Sequence, residues 1–204
     1  MRCPLRGVSF ERASESPFAQ ATIFYDDRDG LAAMGVRDDQ PVAPASWHAG
    51  LETLIVDERG RPLERAWAAK RSYVVGAEGW RYRLRVNNRT AGRVEVVASV
   101  DGLDVMDGRR ASLEKRGYLV EPFDTLFIDG FRHNLSEVAA FRFSSVSDSY
   151  AARTGGDRNV GVIGFAFFDE RGARAHGDDR SDEAERRRNA QPFSDSRFAQ
   201  PPSM

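Results

Sequence analysis

From residue 80 to residue 87 apolar and polar positions alternate without a break. Trp80, Tyr82, Leu84 and Val86 fall on one parity and Arg81, Arg83, Arg85 and Asn87 on the other. A period of two is the repeat of a β-strand with one face in a core and one in water. The pattern assigns Trp80 and Tyr82 to the interior. It sets the three arginines in a row on the opposite face, either solvated or available to an anion or a partner. After NNRTAG, Val94, Val96, Ala98 and Val100 alternate with Arg93, Glu95, Val97 and Ser99. The two segments therefore predict an antiparallel hairpin with one buried and one solvated face.

The same reading finds further strands along the chain. Residues 21–25 (ATIFY) are β-branched and aromatic, and Asp29 then leads into a short helical stretch, GLAAMGV, that closes near Gly35. Residues 37–50 hold Pro41 and Pro44 and predict a loop. Residues 52–57 and LERAW are extended segments about a turn with Gly60 at its tip, where glycine tolerates positive φ. Residues 117–131 divide into two short strands at Glu121 and Pro122, and EVAAFRF (137–143) is another. Residues 160–168 are apolar on both parities, as a central strand covered on both sides requires. About eight short strands with at most one short helix predict an all-β fold, an antiparallel β-sandwich of jelly-roll type over residues 21–170. An N-terminal arm, 1–20, carries isolated anchors at Val8, Phe10 and Phe18, and a polar, flexible tail covers 171–204.

Composition removes several functional classes. Thirty Lys plus Arg against 31 Asp plus Glu give a net charge of -1, which supplies no basic field for a nucleic-acid backbone. The one cysteine, Cys3, excludes an intramolecular disulfide framework and cannot alone make a zinc site. No run approaches the roughly 20 apolar residues of a membrane span, and the opening residues lack the apolar core of a signal peptide, so the chain as given reads as soluble. Its compartment stays open.

Candidate chemistry is sparse. TGGDRN (154–159), with Gly155, Gly156, Arg153 and Arg158, has the glycines of a phosphate loop. It lacks the Lys followed by Ser or Thr at a helix start, so it reads as a turn or an exposed binding loop. Asp101, Asp104 and Asp107 stand three apart, whereas a calcium loop alternates its oxygen ligands and ends on a distal Glu. They read as turn carboxylates, with weak calcium binding as the alternative; no other cofactor is implied. His48, His133 and His176 lie far apart, and only His133, near Asp129, Ser136 and Glu137, has neighbours suited to acid–base work. Trp47 and Tyr150, in loop-like sequence, are the aromatics placed to stack on a ligand.

Taken in order, VDGLDV (100–105), GYLVEP (117–122), EVAAFRF (137–143), SYAARTG (149–155) and NVGVIGFAFF (159–168) resemble the blocks of a group of bacterial proteins without an assigned function. FERAS (10–14) and PFSDSRFAQPP (192–202) are similar to their flanking segments. The resemblance implies one recurrent module that includes arm and tail, and it implies no catalytic residue. Three functions follow as expectations. The first is a non-enzymatic module that binds another protein or itself, through arms anchored by residues such as Phe10, Phe193 and Phe198. The second is a carbohydrate or small-ligand binding module using Trp47, Tyr150 and the loops around Asp104 and Gly155. The third is a hydrolase using His133 with Asp129.

Overall fold

A computed structural model of the protein describes residues 9–36, 46–132, 138–143 and 160–172. In chain order its elements are β1 (Ala19–Asp26), α1 (Arg28–Ala33), β2 (Ser46–His48), β3 (Leu51–Val56), β4 (Arg65–Ala68), β5 (Arg71–Val75) and β6 (Arg81–Asn88). There follow β7 (Val94–Val100), β8 (Leu103–Asp104), β9 (Tyr118–Val120), β10 (Thr125–Ile128), β11 (Gly130–Arg132), β12 (Val138–Arg142) and β13 (Val162–Asp169). The fold is an all-β sandwich. One sheet runs β4-β5-β1-β13-β7, with β8 and β9 on the far side of β7; the other runs β11-β12-β6-β3-β2, with β10 beside β6. The described pairings are antiparallel except that of β1 with β5, which makes the first sheet mixed.

The inward parities of the two sheets meet in one core. Ile23, Tyr25, Val96, Ile163, Phe165 and Phe167 from the first sheet pack against Leu51, Ile55, Tyr82, Leu84, Ile128 and Phe141 from the second. β13 occupies the middle, between β1 and β7, as its unbroken apolar run predicts. Its outward residues Ala166 and Phe168 are buried with Val97 in a separate cluster on the other side of the sheet.

The expected hairpin turns out to be a corner between sheets. β6 belongs to the second sheet and β7 to the first, so the NNRTAG connection carries the chain across the core edge. Asn88, fully buried, fixes the corner: its Nδ2 donates to the carbonyls of Gly92 at 2.8 Å and Glu121 at 3.0 Å, and its Oδ1 accepts from the Thr90 N–H at 3.0 Å and hydroxyl at 2.7 Å. Alternation specifies a buried face, and strands facing each other across a core satisfy it as well as neighbours in a sheet. β3 and β4 also belong to different sheets, but the turn expected at Gly60 forms with positive φ, and Pro62 pairs antiparallel with Val56 across it before β4 begins. The helix also starts earlier than its sequence suggests, because Asp27 is the N-cap and accepts from the Gly30 N–H at 2.7 Å.

The outward parity of β7 is not solvated. Glu95 is 1% exposed and Val97 5%. Residues of the arm cover this face, held along the end of β13 by hydrogen bonds from Ala13 N to Asp169 O and from Arg171 N to Glu11 O. Arg12 inserts its guanidinium 3.7 Å from the Phe168 ring centre and donates to Glu95 Oε2 at 2.6 Å, to Leu113 O at 2.6 Å and to Lys115 O. Glu95 also accepts from the Gly117 N–H at 2.8 Å and pairs with Arg116 at 3.2 Å. A buried carboxylate is tolerated when its lone pairs are taken up in this way.

Candidate functional site

At one end of the second sheet, the turn leading into β6 and the 57–64 loop face each other across an open groove of about 750 Å³. That size lies within the range of ligand sites, roughly 300–1,000 Å³. The turn is set by its backbone. Gly79 takes φ of 79°, the Trp80 N–H reaches Ala77 O at 3.0 Å, and Gly79 N to Phe143 O and Phe143 N to Trp80 O tie both sides to the end of β12. Trp80 is thereby held over the groove with 59% of its surface exposed.

This reverses the sequence expectation for Trp80. Tyr82 is buried as alternation requires, at 1% exposure, and stacks on Phe141 and Phe143. Trp80 shares its parity but precedes the first residue of β6, where the chain is still in a turn and parity no longer decides burial. The glycine just before it was the available signal, since EGW reads as a turn before it reads as a strand.

Around the indole, the groove is lined by four arginines, Arg59, Arg61, Arg81 and Arg142, and three carboxylates, Asp57, Glu58 and Glu64. Every carboxylate has a guanidinium partner: Asp57 with Arg61 at 2.7 Å, Glu58 with Arg81 at 3.3 Å and Glu64 with Arg28 at 2.6 Å. The Arg61 backbone N–H, together with the Arg61 side chain and the Arg59 N–H, holds the Asp57 carboxyl below the usual carboxylate range. Arg59 and Arg142 have no carboxylate partner among the described residues; Arg142 donates only to Gly79 O, at 3.1 Å. The arginine row of β6 continues beyond the groove on the outer face. Arg83 pairs with Asp129 and lies 4.5 Å from the Phe127 ring centre, and Arg85 reaches Gly60 O at 3.4 Å.

The residues singled out by sequence do not converge on one site. Trp47 lies in β2, paired with Glu52 of β3. His133, Tyr150, Arg153, Gly155, Gly156 and Arg158 lie outside the described residues. Asp129 is exposed and engaged by Arg83.

The three aspartates of the 101–107 stretch serve three different places. Asp101 is buried and accepts from the Tyr25 hydroxyl at 2.7 Å and the Gly161 N–H at 2.9 Å. Burial pushes its carboxyl up, and burial with the neighbouring Asp101 charge pushes the Tyr25 hydroxyl up as well. Asp104, 1% exposed, accepts from the Met106 N–H through Oδ1, and its Oδ2 has no hydrogen-bond partner among the described residues; burial raises its carboxyl too. Asp107 turns outward to Lys115, at 2.8 Å. Among the described residues no three His, Cys, Asp or Glu side chains gather as metal ligands would, and no helix is long and apolar enough to cross a membrane.

A smaller depression of about 230 Å³ lies on the outer face of the first sheet, lined by Gln20, Thr22, Ser99, Ser112 and Leu113 among others. Among the described residues it is lined by no charged group and no exposed aromatic of the kind found at Trp80. Comparison with models of known protein families, with characterised proteins and with solved structures finds no match to this chain.

Proposed function

We propose that this protein is a non-catalytic β-sandwich module that binds a glycan in the groove under Trp80. The observation that carries the reading is the exposed indole, carried on a turn fixed by backbone hydrogen bonds and lining a concave surface of charged side chains with Pro62 and Leu63. Exposing a large aromatic forgoes burial that would stabilise the fold by about 1.5–3 kcal/mol. A sugar ring offers what such a site needs, an apolar C–H face for the indole and hydroxyls at its rim for charged side chains that donate and accept in fixed directions.

The absence of catalysis in this reading rests on the same residues. Glycoside cleavage asks for one carboxyl acting as acid opposite a second acting as base or nucleophile. Here guanidinium groups engage Asp57, Glu58 and Glu64 alike. A broad glycan screen of the wild-type protein and Trp80→Ala tests the proposal. Glycans retained by the wild type and lost by the variant, with the unfolding midpoint unchanged, support it. A screen without hits, or hits indifferent to Trp80→Ala, defeats it.

A further inference from the structure

We infer that the ligand of the Trp80 groove is an acidic glycan, one whose sugar rings carry carboxylates. The inference rests on the glycan reading of this groove and adds the charge of the sugar. Four arginines line the groove, and Arg61 and Arg81 are taken up by Asp57 and Glu58. The third lining carboxylate, Glu64, is neutralised from outside the lining by Arg28. Two cations are left over, Arg59 and Arg142, neither with a carboxylate partner among the described residues. The local balance is positive although the whole chain carries a net charge of -1, so the excess belongs to this groove and not to the protein at large.

Guanidinium is the side-chain group best matched to a carboxylate, because its planar fork donates two parallel hydrogen bonds. The Arg142 guanidinium itself is anchored, donating from Nη1 to Gly79 O at 3.1 Å, one residue before Trp80. An anionic group beside a stacked ring would thus meet a positioned cation. Arg59 lies in the loop whose N–H groups at 59 and 61 close on the Asp57 carboxylate, each at 2.9 Å. Arg59 lines the groove together with the Gly79–Trp80 turn. A neutral glycan would leave both cations without a counter-charge, whereas an acidic glycan would satisfy them and stack on the same indole.

Titration calorimetry with a glucose oligomer and a uronic-acid oligomer of equal length, at low and high salt, decides the matter. The expected result is about tenfold tighter binding of the uronate at 50 mM salt, a margin in keeping with two exposed charge-assisted contacts, shrinking several-fold at 500 mM. Arg59→Gln/Arg142→Gln should bring the two oligomers to equal affinity, while Trp80→Ala should lose both. Equal affinity of the wild type for the two overturns the acidic preference and leaves the glycan site standing. Binding of neither overturns both readings. Polyglutamate binding as tightly as the uronate shows that charge alone is recognised and overturns the assignment to a sugar.

Discussion

Replacing Arg12 by alanine removes more than an ion pair at the surface. The side chain is 12% exposed and makes charge-assisted hydrogen bonds to Glu95, to Leu113 O and to Lys115 O while lying on the Phe168 ring. The two carbonyls can be rehydrated once the arm is loosened, but Glu95 is 1% exposed. Breaking a buried pair by deleting one partner costs about 3–5 kcal/mol. The Gly117 N–H and Arg116 remain on Glu95 and offset part of that, leaving a loss of about 2–4 kcal/mol. With a urea slope of about 2 kcal/mol/M, the midpoint should fall by about 1–2 M. Equilibrium urea unfolding of the wild type, Arg12→Ala, Glu95→Ala and the double variant measures this, and the cycle should show a coupling of about 1.5–3 kcal/mol. A loss below about 1 kcal/mol, the range of exposed pairs, or additive single effects would refute the view that Arg12 staples the arm to the sheet.

Three further outcomes follow from buried contacts. Tyr25→Phe deletes the hydroxyl donor to buried Asp101 and should destabilise by about 1.5–3 kcal/mol in the same assay; no change would mean the bond contributes nothing. Asp104 has a folded-state pKa raised by burial, so its contribution is fully present below the ordinary carboxylate pKa of about 4 and is lost as pH rises through the raised value. Asp104→Asn should therefore gain on the wild type as pH rises from about 4 in paired unfolding curves, and a difference constant with pH would contradict the burial argument. Gly130→Ala places a methyl 2.1 Å from Ala139 O on the paired strand β12, which should lower stability by about 1–3 kcal/mol, read as a fall in the thermal midpoint.

Sheet membership was the part of the fold that local pattern did not carry. Apolar runs located β1, β12 and β13, and the doubly apolar run at 160–168 marked the strand that lies centrally in the first sheet, whereas the one strand expected after Pro122 is two, β10 and β11. Whether β6 pairs with β7 depends on a corner built by Asn88, whose partners Val120 and Glu121 come from a distant segment. The burial of Glu95 was equally hidden, because its partner Arg12 stands 83 positions away. At the groove, Trp80 was visible as a residue but was assigned by parity to the wrong environment. Arg59 and Arg142 are far apart in sequence and become neighbours of the indole only through the fold.

The place of β13 bears on how the molecule is made. It pairs with β1 over residues 19–24 on one side and with β7 on the other, so the first sheet remains two separate pieces until residue 169 has left the ribosome. Contacts of such long sequence separation incur a large loop-closure entropy before any burial repays it, which slows folding. Until then β1 and β7 present unpaired edges beside apolar faces, the surfaces from which chains aggregate. Yield in a heterologous host should accordingly depend on the rate of synthesis and on chaperone supply more steeply than the stability of the finished sandwich would suggest.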